Sequence, residues 1–326
     1  MGTIEIGKLP FLSSTGFATL GENCISFLSA PGSATQDQTA QAFSKKWGQM
    51  THGDADFEKM VANQKEWYLD LYGFSSEDEL RSYLRNCGHV LDAGTGMGHK
   101  AAWFAELSPE TFVVAADISD SIIEASAYYR HLPNLLFVQC DIADLGFVRD
   151  NSFDYVSCDQ VIHHTEAPRR TFRELARVAA TGGDVSVYVY RKKALPRELL
   201  DDYFREACAD YSHEQLMELS EQLTELGRVL SSLDQPLAIP DVPLLGIEGG
   251  EMTVQRFIYW NLLKCYWNEE LGEFVSVMTN YDWYSPSQAF RYTEEEFRSW
   301  VEEAAMETVH FHKEKACYSG RFRKTA

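Results

Sequence analysis

Basic residues are scarce in this chain: 29 lysines and arginines stand against 49 aspartates and glutamates, a formal net charge of −20 over 326 residues. So acidic a surface repels a phosphate backbone, which counts against nucleic acid as a partner. The basic clusters are short: Arg169-Arg170, Arg191-Lys192-Lys193 and a few residues near the C-terminus. The plain reading of the acidity is solubility. The seven cysteines form no C-x-x-C pair, which counts against a zinc ribbon or a disulfide framework and fits a reducing compartment. There is no run of about 18 apolar residues, the minimum for a membrane span. There is also no leader with a charged start and an apolar middle. Met1-Gly2 opens like an acylation site, but Ile6 stands where Ser or Thr is required. The expectation is a cytoplasmic protein with no membrane partner.

What is present is concentrated in Val90 to Gly98, Val-Leu-Asp-Ala-Gly-Thr-Gly-Met-Gly. Val90 and Leu91 end an apolar run of the kind found in a buried parallel strand. Asp92 marks the strand's end, Gly94, Gly96 and Gly98 follow at alternate positions, and His99 to Ala105 reads as a helix. Strand, glycine turn and helix bring backbone and a helix N-terminus close to a ligand. The spacing is not the G-x-G-x-x-G of a dinucleotide phosphate loop.

From about residue 87 to 193 strands and helices alternate, as in a parallel sheet. Phe112 to Asp117 is a second strand ending in an acid 19 positions after Gly98, where a carboxylate can accept both hydroxyls of a ribose. Leu135 to Ile142 is a third, ending in Asp141-Ile142, with Asp141 suited to an adenine amino group and Ile142 to the ring face. Ser152 to Gln160 is a fourth, leading through Asp159 and Gln160 into Val161-Ile162-His163-His164. A helix over 168–179 and a turn at Thr181-Gly182-Gly183 precede a fifth strand, Asp184 to Tyr190.

These strand ends, in this order, resemble the S-adenosylmethionine-binding half of the class I methyltransferases. Ile162-His163-His164-Thr165 is similar to the Leu-His-His-Thr type sequence of a bacterial small-molecule branch. The resemblance covers about residues 40 to 193 and resumes near the C-terminus. It implies an α/β fold with a Rossmann-like doubly wound sheet, mostly parallel with an antiparallel C-terminal strand. A helical N-terminal segment and a helical insertion after the fifth strand complete the expected architecture. It implies S-adenosylmethionine as cofactor, with S-adenosylhomocysteine as product. The expected binding residues are Asp92, Ala93, Gly94, Thr95, Gly96, Gly98, Asp117, Ile118, Asp141, Ile142, Asp159 and Gln160. Thr95 is a mild departure from the usual residue in the glycine motif. Members of this branch often begin with a cysteine zinc ribbon, whereas only Cys24 lies in that region here, so no metal is expected.

Methyl transfer from a sulfonium is an in-line displacement in which positioning supplies much of the rate. His163, His164 and Asp159 are the catalytic candidates: a histidine has a suitable pKa for a base, and His163 is favoured for it over His164. The alternative, that both histidines cap a helix or line the site without moving a proton, stays open. Asp159 and Gln160 suit the methionine part or the acceptor, and Tyr190 and Arg191 suit acceptor orientation. Asp282, Trp283 and Tyr284 form either a pocket wall or a packed turn.

Four segments are expected: an N-terminal arm and helical cap (1–86), the binding core (87–193), a helical insertion (194–280), and a C-terminal helix with a strand hairpin (281–326). Pro31 to Thr35 reads as a linker, and Trp47 and Trp67 as core aromatics in preference to a lid. In the insertion, Leu199 to Leu233 reads as one long helix, Gln235 to Pro243 as a loop, and Thr253 to Glu270 as another helix. Ligands sit outside the C-terminal strand ends of such sheets, so the insertion is expected to roof a substrate pocket, with a homodimer interface as its alternative. The expected function is methyl transfer to a small molecule. Two rivals remain, a non-catalytic methionine-cofactor sensor and a nicotinamide oxidoreductase.

Overall fold

The computed structural model describes residues 9–14, 16–28, 33–233 and 235–325. Ile4-Glu5-Ile6, whose alternating apolar residues read as a short strand, and Pro31-Gly32 of the expected linker lie outside the described residues. A short antiparallel pair, β1 (Ala18–Gly21) and β2 (Cys24–Ser26), opens the described chain. Helix α1 (Ala34–Trp47) starts where a linker was expected, because the Ser33 side chain caps it by accepting from the Gln36 N–H at 3.2 Å. Helix α2 (Ala55–Tyr72) ends at Gly73 in the left-handed conformation, and α3 (Glu77–Leu84) starts from a Ser76 cap.

The core alternates as the sequence reads. Strand β3 (His89–Ala93), helix α4 (His99–Leu107), β4 (Phe112–Asp117), α5 (Ser121–Tyr128), β5 (Leu135–Gln139), β6 (Phe153–Cys158), α6 (Pro168–Val178) and β7 (Ala179–Arg191) follow in order. The expected turn at Thr181-Gly182-Gly183 is not a break before the strand but a bulge within it. Pairing to β6 jumps from Phe153–Ala179 to Tyr155–Asp184, so residues 180–183 loop out opposite Asp154.

The insertion departs most from its pattern. Its first helix is two, α7 (Leu195–Ala207) and α8 (His213–Ser231), because Ser212 and Gln215 form a reciprocal capping box that starts a new helix. The expected loop holds β8 (Pro236–Ile239), which pairs antiparallel with β9 (Gly250–Thr253). Helix α9 (Val254–Asn261) stops nine residues short of Glu270. Buried side chains satisfy the backbone beyond it: Asn280 accepts from the Tyr266 N–H (2.8 Å) and donates to the Tyr266 carbonyl (3.0 Å) and Thr224 Oγ1 (2.8 Å). Gln255 donates to the Cys265 carbonyl at 2.9 Å. With those partners supplied, an extended segment replaces a helix at little cost. Helix α10 (Gly272–Tyr284) runs through the boundary expected at 280. A two-residue strand β10 (Arg291–Tyr292), helix α11 (Glu294–Glu303) with its Thr293–Glu296 capping box, and the hairpin β11 (Met306–Lys313) and β12 (Cys317–Lys324) close the chain.

All strands but the β8–β9 pair join one 10-stranded sheet, in the order β1-β2-β5-β4-β3-β6-β7-β12-β11, with β10 paired to β7. Pairing from β2 to β7 is parallel, and β12 and β11 are antiparallel, as expected. The path runs outward from β3 through β4 to β5 and then returns to β6 on the other side of β3. That reversal opens a crevice beyond the C-terminal ends of β3 and β6. Both sheet faces are dry: one carries Leu91, Val114, Val156 and Phe172, the other Tyr68, Phe104, Val113 and Tyr155.

Replacing Asn280 by Leu leaves the Tyr266 N–H and carbonyl without these partners, a cost of about 2–4 kcal/mol, while Thr224 keeps its bond to the Ser220 carbonyl. Hydrogen exchange checks it: the Tyr266 amide is expected to lose protection in the variant while amides of β3 and β4 keep theirs.

Candidate functional site

The glycine turn is shaped by contact on both sides. Gly94 has φ +82, and a Cβ there would lie 2.3 Å from Val161. Gly96 has φ +55, and a Cβ there would lie 2.9 Å from the Trp47 ring. Both positions need a residue without a side chain. Beneath the turn, Asp92 accepts from the Thr95 hydroxyl at 2.7 Å. Beside it, Asp117 accepts from the Gly96 N–H at 2.7 Å, and from the Ser119 N–H (2.8 Å) and hydroxyl (2.6 Å). Burial raises the Asp117 pKa against these hydrogen bonds.

A cavity of about 870 Å³, counting its open mouth, lies against this turn. The expected residues Gly94, Thr95, Asp117 and Ile118 line one side of it, and Asp141, Ile142, Asp159 and Gln160 another. Asp92, Ala93, Gly96 and Gly98 are not among the lining residues. They build the turn from behind, and Gly98 ends it at the N-cap of α4. Asp141 accepts from the Ala143 N–H at 2.8 Å, and burial raises its pKa.

Asp159 is not free. One of its oxygens accepts from Lys100 Nζ at 2.5 Å and the other from the Tyr72 hydroxyl at 2.8 Å, and all three side chains are buried. Lys100 sits in the first turn of α4, where the helix dipole disfavours a cation unless it has a partner. That misplaced lysine is the sequence signal that would have revealed the pair. Gln160 follows with φ +64, a left-handed backbone that a residue other than glycine adopts at a cost of about 1 kcal/mol. Its amide donates to Asp159 at 3.2 Å.

The two histidines separate. His164 lines the cavity, while His163 does not. His163 is fully buried, its ring 3.7 Å from that of Tyr190, and so lies one side chain behind the site favoured for it. His164 Nδ1 lies 2.6 Å from the Gln288 carbonyl, which can only accept, so the proton is on Nδ1 and the lone pair on Nε2. Burial pushes His164 down to about 4, and pushes His163 well below the ordinary histidine value.

A second, larger space of about 1730 Å³ including its mouth adjoins the first. Lys46, Trp47, Gln64, Gln160 and Asp282 line both. Asp282 is paired with Lys46 at 3.0 Å; burial alone would raise its pKa, but Lys46 and His164 hold it below the ordinary carboxylate value. Tyr190 and Trp283 line the second space. Arg191 points elsewhere, to Glu248 and the Glu314 carbonyl, and Tyr284 bonds Asp201 at 3.1 Å. Neither lines either cavity. Trp47 and Trp67, read as core, stand on cavity walls instead. Periodicity marks a helix's apolar face but not whether that face meets another element or a cavity.

A doubly wound α/β protein with an acid at each strand end and a glycine turn over an open crevice is a nucleoside-binding architecture. A methyltransferase-domain family matches residues 91–187. Over those residues the chain carries a methyltransferase domain. A methyltransferase of Bacillus subtilis is 26% identical over 174 residues, 50% of this chain and 67% of that protein. A malonyl-[acyl-carrier protein] O-methyltransferase of Legionella pneumophila is 30% identical over 152 residues, 45% of this chain and 48% of that protein. The chain spans from 25% to 67% of the length of the first curated relatives it matches. Among solved structures, a Burkholderia thailandensis 1,6-didemethyltoxoflavin-N1-methyltransferase with bound S-adenosylhomocysteine aligns over 92% of this chain and 94% of its own, at 14% identity and a TM-score of 0.42.

The His164 shift gives a stability prediction. The unfolded chain takes up a proton at the ordinary value of 6.5, and the folded ring refuses it down to about 4. Stability is therefore intact above pH 6.5 and falls as pH drops toward 4, by about 3 kcal/mol in full. Urea unfolding at pH 7 and at about pH 4.5 is expected to show wild type losing about 2 kcal/mol more than His164→Gln; equal losses would refute the assignment.

Proposed function

We propose that this protein transfers a methyl group from S-adenosylmethionine to a small-molecule acceptor. The observation that carries this reading is the junction of the two cavities at Gln160 and Asp282. The cavity against the glycine turn opens there onto a second space large enough to admit a small ligand.

The residues present fit the cofactor. Asp117 accepts three hydrogen bonds from Gly96 and Ser119, which leaves about one of its four lone-pair sites, on Oδ2, for a ribose hydroxyl. Ile118 and Ile142 offer apolar faces for adenine, and Asp141 an acceptor for its amino group. Lys100 and Asp159 place an ammonium and a carboxylate beside the glycine turn, the complement of an amino acid's own two charges. S-adenosylmethionine bound there supplies a methyl group already activated by its sulfonium.

The chain's own work is positioning and proton handling. Gln160, held left-handed by Asp159, presents its amide at the seam. Asp159, with both oxygens engaged, orients and does not act as a base. Asp282 is the carboxylate at the seam, and it is kept ionised by Lys46, so it is the group placed to accept a proton from an acceptor hydroxyl or amine. His164, with its bare Nε2, lines the cofactor side. The insertion and α2 together cover the acceptor space and keep water from the reacting atoms.

Asp117→Asn tests the cofactor reading, since the amide carries no charge and its nitrogen cannot accept a hydrogen bond. S-adenosylhomocysteine affinity, measured by calorimetry, is expected to weaken by about 1–3 kcal/mol. Incubation of wild type with methyl-deuterated S-adenosylmethionine and a metabolite extract is expected to yield a labelled small molecule by mass spectrometry. Binding without any labelled product would favour a non-catalytic sensor, and binding of NAD in its place an oxidoreductase.

A further inference from the structure

The acceptor space has an unusual inner wall for so acidic a chain. Lys264 is buried, and its ammonium has one hydrogen-bond partner, the Tyr259 hydroxyl at 3.2 Å. An ammonium carries three N–H donors, so two remain for a ligand that enters the space it lines. Lys193 Nζ donates to the Arg191 and Ala316 carbonyls at 2.5 and 3.0 Å, which leaves one donor. Arg256 faces the rings of Tyr259 and Tyr266. Among the described residues none of these three cations has a carboxylate within ion-pair distance, whereas Arg197 nearby is matched by Asp201 at 2.7 Å.

The carboxylates that line the same space are committed or at its edge. Asp282 is paired with Lys46, and Glu314 is in contact with His312 and Cys317. Glu66 and Asp70 are exposed, on the opposite wall. Burial, and then the neighbouring Arg197, push both lysines down to about 7, against the opposing pull of Glu198 on Lys193 and of Asp282 and Asp201 on Lys264. The buried Trp283 indole N–H also lacks an acceptor, and its ring lies 4.7 Å from Lys264 Nζ. Unspent buried donors are costly unless a ligand satisfies them.

Resting on the methyl-transfer reading, we propose that the acceptor is a small aromatic acid, its carboxylate seated on Lys264, Lys193 and Arg256 and its ring along Trp283 and Tyr259. The aromatic walls suit a flat ring, and the cations fix which end of it enters first. The opposite end then faces the seam at Gln160 and Asp282, where the methyl group is to arrive.

The test is fluorescence titration of the full chain, with and without S-adenosylhomocysteine, using matched probes: 4-hydroxybenzoate, its neutral amide and 4-hydroxybenzylamine. Trp260 and Trp283 in the wall report binding. The acid is expected to bind at least about tenfold tighter than the amide, with the amine weakest. That preference is expected to shrink to about twofold or less in Lys264→Met. Arg256→Met, on the half-buried part of the wall, carries the same expectation should Lys264→Met fail to fold. Equal binding of acid and amide, tighter binding of the amine, no response to the acid at about 10 mM, or a preference that survives in both variants overturns the proposal. Failure of S-adenosylhomocysteine to bind would instead strike the methyl-transfer reading, and the titrations without it still decide the acceptor's charge.

Discussion

An ammonium and a carboxylate, both buried, meet at 2.5 Å where α4 leaves the glycine turn and β6 ends. Neither Lys100 nor Asp159 is tolerable there alone, because an unpaired charge in the interior costs several kcal/mol. Together they lock two elements that are far apart in the chain. Tyr72 of α2 donates the third bond to the same carboxylate. Four residues earlier, Tyr68 bonds Tyr155 at 2.5 Å and Ser157 at 3.1 Å on β6. The N-terminal helices are thus fastened to the strand whose end forms the site. The left-handed Gln160 follows directly, held by the same Asp159. One polar cluster therefore sets the glycine turn, the cofactor wall and the entrance to the second cavity.

Much of the core was legible. An apolar run followed by an acid is a strong local pattern, and β3, β4, β5 and β6 each end within a few residues of the expected place because burial on both faces leaves little choice of residue. The strand-end acids were legible for the same reason: a charged residue that ends a dry strand has a structural or ligand partner. Which partner it has was not legible. Asp159 read as a free catalytic candidate, yet its partners lie 59 and 87 positions away in the chain, at Lys100 and Tyr72. His163 and His164 are adjacent and chemically alike. A single turn of tight helix at Ile162–His164 sends one toward the cavity and one behind Tyr190.

The insertion was the least legible part, and its failures share a cause. Helical periodicity over 199–233 and 253–270 describes a face, and a capping box or a buried amide overrides it locally. Ser212 with Gln215 restarts a helix, and Asn280 with Gln255 frees the backbone of 262–268 from being helical. Those same irregular residues carry Lys264 and Tyr266 to the cavity wall. A continuous helix through 253–270 would keep Arg256, Tyr259 and Tyr266 within about 80° of one another but would turn Lys264 about 140° from Tyr259 and about 160° from Tyr266. The departure from periodicity is what brings Lys264 onto the same cavity wall as the other three.

The charge pattern then has a physical logic. A net charge of −20 disfavours the approach of an anion, but surface charges act through water and salt and fade beyond about 8 Å at physiological ionic strength. Inside the cavity the effective dielectric is lower, so each unspent ammonium acts more strongly on a nearby anion than many screened surface carboxylates do. The acidic exterior and the cationic inner wall are therefore compatible: one sets solubility, the other selection. Aromatic rings between the cations sharpen the selection, since Trp283 and Tyr259 stabilise the ammonium of Lys264 through their faces while two of its three N–H donors stay unspent. A neutral ring bearing a carbonyl or hydroxyl would gain the stacking and accept from those donors without matching their charge. A cationic ring would meet repulsion, and an anion would supply the acceptors and the opposite charge together.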